Sequence, residues 1–131
     1  MDLYLKDKVI LVSGGAKGIG RAIVLALAAE GAIPVIIGRN ASDNAELSAL
    51  LESRGQTSLS ISAELTVPTD CSAAVASALQ HFGRIDGLVN NAGHNDGVGL
   101  ESGSYEAFMA SMHKNLVHYY LLAQQSLPAL K

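Results

Sequence analysis

The sequence has a single cysteine, no tryptophan and only three prolines among 131 residues. One cysteine excludes an intramolecular disulfide and argues against a zinc cluster, so no metal site is predicted. Cys71 lies in a stretch with a helical pattern, and we expect it to pack inertly in the core, because free cysteines are commonly buried.

Long hydrophobic runs are also missing, although hydrophobic residues make up 49% of the chain and charged residues 16%. Glycine, proline or charge interrupts every apolar run, so no segment is expected to span a membrane. The opening MDLYLKDK mixes charges of both signs and lacks the apolar centre of a signal peptide, which predicts a cytoplasmic protein. A net charge of −3 argues against nucleic acid as the main partner.

Strand and helix patterns alternate four times along the chain. Short apolar runs predict strands at residues 8–14, 33–38, 57–65 and 86–93. Helical spacing and capping residues, including Ser42, Asp43 and Thr69, predict helices at residues 19–31, 42–55, 69–83 and 104–127. The apolar stripes expected to face the core are Ile19, Ile23, Ala26 and Leu27 in the first helix and Phe108, Met112, Leu116, Tyr119, Ala123 and Leu127 in the last. This alternation predicts an α/β domain whose parallel sheet is covered on both faces.

A glycine-rich turn, residues 14–20, joins the first strand to the first helix. The N–H groups that begin a helix have no intrahelical partner, and the helix dipole adds positive charge there, so a phosphate is the expected occupant. Gly14 would permit the tight turn, while Gly18 and Gly20 would remove Cβ atoms where backbone, ligand and sheet crowd together. A turn that only redirects the chain is the alternative.

The spacing of the glycines narrows the kind of site. The G-x-G-x-x-G dinucleotide pattern is not matched, because Ile23 stands where its last glycine should be. A P-loop is excluded because Lys17 is followed by Gly18 rather than by Ser or Thr. The observed pattern is Gly-x-x-x-Gly-x-Gly.

This turn resembles the first motif of the short-chain dehydrogenase/reductase family, in which threonine stands at the position of Ser13. The family's Asn-Asn-Ala-Gly motif is intact at residues 90–93, and its third-strand acidic residue is matched by Glu64. Asn115 matches the asparagine of its fourth helix. The resemblance covers the whole chain, and within the family the segments MDLYLKDKV, GAIPVI and NDGVGLESG are most similar to sugar dehydrogenases of the L-fucose type.

The resemblance implies a Rossmann-type, doubly wound three-layer sheet in the strand order 3-2-1-4, with residues 1–131 as one dinucleotide-binding domain. The residues that it implies for nicotinamide dinucleotide binding follow the four strands: Ser13, Gly14, Ala16, Lys17, Gly18, Ile19 and Gly20; Arg39 and Asn40; Glu64 and Leu65; Asn90, Asn91, Ala92 and Gly93. The turn would hold the pyrophosphate, Glu64 and Leu65 would border the adenine, and residues 90–93 would line the ribose and nicotinamide.

Asn115 is the one catalytic candidate. The resemblance implies that it interrupts its helix and helps to hold a proton-relay water. An asparagine hydrogen-bonded within a buried helix face is the alternative.

The end of the second strand bears on the choice of dinucleotide. A carboxylate there would bind the ribose 2′-hydroxyl of NAD, but the sequence reads Gly38, Arg39, Asn40. A guanidinium can pair with a 2′-phosphate, and Lys17 would add a second cation on the same side. NADP is therefore the expected cofactor and NAD is disfavoured, with two solvated surface cations as the alternative.

The family's catalytic serine and Tyr-x-x-x-Lys pair are not found where the resemblance would place them. Tyr4 and Lys8 have the spacing but precede the first strand, and three later tyrosines are followed four residues on by other residues: Met109, Ala123 and Gln124. We therefore expect a cofactor-binding half whose catalytic C-terminal half is absent and which is inactive alone.

The leading hypothesis is an NADP-dependent oxidoreductase that transfers a hydride to or from a secondary alcohol, a ketone or a sugar. The alternative is a non-catalytic nucleotide-binding or interaction module. The resemblance also implies a homodimer or homotetramer that associates through the helix at 104–127, with apolar surface from Met109, Met112, Tyr119 and Tyr120. Packing in the core of the chain is the alternative for about half of these side chains.

Overall fold

Every residue of the first strand is buried, because the sheet that it centres is covered on both faces. The computed structural model describes all residues from 1 to 131. Its strands are β1 (Val9–Ser13), β2 (Ile33–Gly38), β3 (Leu59–Ser62) and β4 (Gly87–Val89). They form one parallel sheet in the order β3-β2-β1-β4, which confirms the predicted fold class and strand order.

Helices connect the strands and follow the last one. They are α1 (Gly18–Ala29), α2 (Ala41–Ser53), α3 (Pro68–Phe82), α4 (Tyr105–Met112) and α5 (His118–Leu130), with a π-helical turn at His113–Val117 between the last two. No helix of the structure combines the length and the apolar character needed to cross a membrane.

Alternate residues of the central strands enter two separate cores, because successive side chains of a strand point to opposite faces. On one face, Leu11 and Val35 pack with residues of α3 and α5. On the other, Val12 and Ile36 pack with residues of α1 and α2. The sheet and the helices that cover its two faces therefore form three layers. Cys71 lies in the first core, as expected, and burial raises the pKa of its thiol.

Two helices begin at different residues from those predicted. Asn40 caps α2, its Oδ1 accepting from the Asp43 N–H at 3.0 Å, so the predicted caps Ser42 and Asp43 lie inside the helix. α3 starts at Pro68 rather than after a Thr69 cap, because proline lacks the N–H that would otherwise have no partner in the first turn.

The predicted stripe of α1 was partly wrong. Ile19 is 76% exposed and Ala26 is exposed, whereas Gly20, Val24 and Ala28 are buried. The small residues Gly20 and Ala28 allow the helix to approach the sheet closely, and hydrophobicity alone does not signal that role.

The last helical region shows the largest departure. Neither α4 nor the π-helical turn has a buried residue, and the turn shifts the helical register before α5, so the helix meets the core only in α5. The buried residues are His118, Leu122 and Ser126. Four members of the predicted stripe are exposed instead: Phe108, Leu116, Ala123 and Leu127. The predicted helix stopped at residue 127, whereas α5 continues through Pro128 to Leu130.

Candidate functional site

A cleft of about 670 Å³ opens at the carboxyl edge of the sheet, where the loops that follow all four strands converge. Its volume lies within the range of small-molecule sites. The predicted binding residues that line it are Gly14, Ala16, Lys17, Gly18, Arg39, Asn40, Glu64, Leu65, Asn91, Ala92 and Gly93. The structure thus brings together most of a set that is scattered over eighty residues of sequence.

Four predicted residues do not line the cleft. Ser13 and Gly20 are buried beneath it, Asn90 donates through Nδ2 to the Tyr119 carbonyl at 3.2 Å, and Ile19 faces solvent. Ser13 and Gly20 shape the cleft from below rather than lining it.

The floor of the cleft is a hydrogen-bonded junction between β1 and the segment after β4. The buried hydroxyl of Ser13 accepts from the backbone N–H groups of Asn91 at 3.0 Å and Ala92 at 3.1 Å. The Asn91 side chain donates to the Gly14 carbonyl at 3.2 Å. A Cβ on Gly14 would stand 2.8 Å from the Ala92 Cα, so the two segments touch where only glycine fits.

The glycine turn presents the start of α1 to the cleft. Gly14 has φ of 65° and its N–H donates to the Ile37 carbonyl at 2.8 Å, which closes the turn against β2. Gly18 has φ of 56°, and a Cβ there would meet no atom within 4 Å. No side chain caps the helix. Its first N–H groups therefore have neither an intrahelical nor a side-chain acceptor, an arrangement that fits a phosphate.

The wall after β2 carries charges of both signs. Arg39 is exposed and has no carboxylate within ion-pair distance, whereas Lys17 lies 3.0 Å from the carboxylate of Asp43. The end of β2 itself carries no acid, as its sequence shows, but α2 starts at once and its first turn brings Asp43 into the cleft. Lys17 is a paired cation rather than a second free one.

The wall after β3 is fixed by side chains of α3 and its preceding loop. The Glu64 N–H donates to the Asp70 carboxylate at 2.8 Å. The Glu64 carboxylate turns toward Thr66, accepting from its hydroxyl at 2.9 Å. Leu65 is 9% exposed and supplies an apolar part of the lining. This wall offers the apolar side chain of Leu65 beside the Glu64 carboxylate, which already has a partner.

Asn115 lies in the π-helical turn and outside the cleft lining. Its Nδ2 donates to the His94 carbonyl at 2.9 Å and the Ser111 carbonyl at 3.0 Å, and its Oδ1 accepts from the His94 N–H at 2.5 Å. The side chain thereby ties the loop after β4 to the helix. His94, the residue that follows the Asn-Asn-Ala-Gly motif, lines the cleft.

Other lining residues had weak or no sequence signals. Asp43 had a weak signal, because it lies three residues after the capping Asn40, but its position was interpreted only as part of a helix cap. Asn44 is buried and donates to the carbonyls of Gly38 and Ile61, so it joins β2 to β3 under the cleft. Lys114 reaches the lining from the π-helical turn, which no spacing rule predicted.

A parallel sheet in this order, with a glycine turn after its first strand, is a Rossmann-type fold with its cleft at the expected edge. Residues 8–131 match the family model described as short chain dehydrogenase. The chain belongs to the short-chain dehydrogenase family.

Individual relatives agree with this assignment. A hydroxynaphthalene reductase from Aspergillus fumigatus is 35% identical over 107 residues, which cover 81% of this chain and 39% of the relative. A short-chain dehydrogenase/reductase from Serratia marcescens superposes with a TM-score of 0.89 at 30% identity, over 97% of this chain and 52% of that structure. A blue fluorescent protein from a metagenomic library, solved in complex with NADPH, superposes with a TM-score of 0.87 at 32% identity, over 96% of this chain and 52% of that structure. The chain spans about half the length of the relatives that it matches.

Proposed function

We propose that this chain is the dinucleotide-binding part of an NADP-dependent oxidoreductase that interconverts a secondary alcohol and a ketone. The observation that carries the proposal is the cleft in which the glycine turn, the end of β2 and the Asn-Asn-Ala-Gly segment meet. When bound, the dinucleotide would supply or accept the hydride. A sugar hydroxyl as the substrate is a narrower proposal, supported by the resemblance to dehydrogenases of the L-fucose type.

The positions of the residues assign them separate tasks in this proposal. The open start of α1 would bind the pyrophosphate, Leu65 would contact the adenine, and Ala92 and Gly93 would border the nicotinamide side. Ser13, Gly20 and Asn90 would support these segments from below, while the exposed Ile19 would shield the mouth of the turn. Asn115 would fix the loop after β4, and through that loop it would help to hold a proton-relay water.

The unpaired guanidinium of Arg39 favours NADP over NAD. It lies beside Asn40, where the protein would recognise the ribose 2′ group. The structural relative in complex with NADPH is consistent with this choice. Because the paired Lys17 contributes less than a free cation, the preference should be moderate.

Fluorescence titration of NADPH and NADH into the 131-residue chain tests the proposal. NADPH should bind more tightly, and Arg39→Ala should weaken NADPH by about 10- to 100-fold, the effect of one charge-assisted contact. Arg54→Ala is the matched control, because Arg54 is an exposed arginine at the far end of α2. Tighter binding of NADH, or equal losses in the two variants, would contradict the choice of cofactor.

We further propose that the chain binds the dinucleotide without turning over substrate. General acid–base catalysis contributes about 10²- to 10⁴-fold to such reactions, and none of the tyrosines after β4 has a lysine four residues later. Turnover by purified chain whose mass has been verified would refute this.

The apolar outer face of α4, the π-helical turn and α5 supports a further part of the proposal, self-association as a dimer or tetramer. Its exposed members are Tyr105, Phe108, Met109, Leu116, Tyr120 and Leu127. Tyr120→Glu should shift the chain toward monomer in light scattering, because a charge would be buried between the copies. Leu100→Glu, in an exposed loop, should leave the mass unchanged. A monomeric wild type would exclude this arrangement.

A further inference from the structure

An ion pair bridges two walls of the cleft. Lys17 comes from the glycine turn and Asp43 from the first turn of α2, and their charged groups are 3.0 Å apart. The Lys17 side chain is 76% exposed, whereas that of Asp43 is 24% exposed. The lysine can therefore move away into solvent, but the carboxylate stays in the wall.

The backbone of Asp43 is fixed independently of the pair. Its N–H donates to the Asn40 side chain, which caps α2, and a carboxylate in a first helical turn is favoured by the helix dipole. Asp43 therefore remains beside Arg39 and Asn40 whether or not Lys17 is engaged.

These side chains set the charge at this end of the cleft. Arg39 and Lys17 contribute two positive charges and Asp43 one negative charge, so the local sum is +1 rather than +2. A 2′-phosphate carries between one and two negative charges near neutral pH, as phosphate monoesters do, whereas a 2′-hydroxyl carries none. At the ribose 2′ position, only the phosphorylated dinucleotide carries a charge that senses the difference.

We propose that Asp43 is a specificity-determining residue of the cleft, which engages Lys17 and restrains the preference for a 2′-phosphate over a 2′-hydroxyl. This inference rests on the proposed function. With Asp43 present, the chain would be less selective for NADP than Arg39 and Lys17 alone would make it.

Binding of NADP⁺ and NAD⁺ by calorimetry, to wild type and to charge-neutral variants, tests the proposal. Asp43→Asn and Asp43→Ala should each tighten NADP⁺ by about tenfold and leave NAD⁺ within about twofold, as expected for one surface charge several ångströms from a phosphate. The gain should shrink in 0.5 M salt, because the effect is electrostatic. Lys17→Met should weaken NADP⁺ more than NAD⁺, because both dinucleotides share the pyrophosphate but only NADP⁺ carries the 2′-phosphate.

Glu52→Gln is the matched control. Glu52 is an exposed acid in the last turn of α2, lines neither the cleft nor the pocket that adjoins it at Lys17, and is in no ion pair. An equal change in the NADP⁺ to NAD⁺ ratio for this variant, or no change for either Asp43 variant, would overturn the inference and leave the proposed function standing. Binding of neither dinucleotide by a folded wild type would overturn both.

Discussion

Gly20→Ala tests how the glycine turn and the Asn-Asn-Ala-Gly segment are joined. Gly20 lies in the first turn of α1 and is buried under the cleft. A Cβ at this position would collide with the Gly14 carbonyl oxygen and would stand 2.5 Å from the Asn91 Nδ2. Those two atoms form the hydrogen bond that links the segments, so neither can move without breaking the junction.

The cost can be worked out from these contacts. Overpacking against backbone costs about 3 kcal/mol, the upper part of the usual range. Loss of the hydrogen bond between Asn91 and Gly14 adds about 1 kcal/mol, and the better helix propensity of alanine returns about 1 kcal/mol. The net loss of about 3 kcal/mol should lower the melting temperature of a chain of this length by about 10 °C.

Thermal and urea unfolding followed by circular dichroism measure this loss. The control is Gly99→Ala, because a Cβ on Gly99 meets no atom within 4 Å and its φ is not positive. That variant should stay within about 0.5 kcal/mol of wild type. Equal stability of the two variants would show that the close approach at Gly20 is not a packing constraint.

Two other predictions concern buried polar groups, and one concerns an ion pair. Ser13→Ala should cost about 2 to 4 kcal/mol, because two N–H groups lose their buried acceptor, and Ser13→Thr should restore most of it; urea unfolding of the three proteins checks this. Burial lowers the pKa of His118, so below about pH 6.5 the unfolded chain takes up a proton that the folded chain excludes. The free energy of unfolding should therefore fall as the pH drops below about 6.5. His118→Gln should flatten that slope in melting curves recorded from pH 8 to 5. The hydrogen bond from Arg84 lowers the pKa of Asp86, so this pair should stabilise the fold at neutral pH and lose its effect only as the pH falls below about 4. Asp86→Asn should remove that acid-dependent part of the stability measured by urea unfolding.

The sheet was predictable from the sequence because its signals are local. Runs such as residues 8–14 and 33–38 are apolar, short and bounded by turn residues, and the structure places β1 and β2 within them. The cleft was predictable for a related reason. Parallel strands put all their carboxyl ends at one edge, so residues that follow different strands meet whatever their separation in sequence.

Side-chain partners were harder to predict, because they depend on the geometry between elements. The ion pair between Lys17 and Asp43 requires the relative placement of α1 and α2, which neither helix encodes alone. The face of α5 was missed because a π-helical turn changes the register without any proline or glycine to mark it. The apolar stripe around Phe108 and Leu116 is real, but it points outward.

Stability and binding are connected in this domain because the same atoms serve both. The Ser13 hydroxyl and the Asn91 amide hold the sheet to the loop after β4, and the surface that they support is the cleft itself. A dinucleotide at a hundredfold excess over its dissociation constant should stabilise the folded chain by about 2.7 kcal/mol, close to the cost expected for Gly20→Ala. If that variant only lost stability, NADPH at this excess would restore the melting temperature of the unliganded wild type. Because the substitution also displaces the Gly14 carbonyl and the first turn of α1, the affinity itself should fall, and added NADPH should recover only part of the loss.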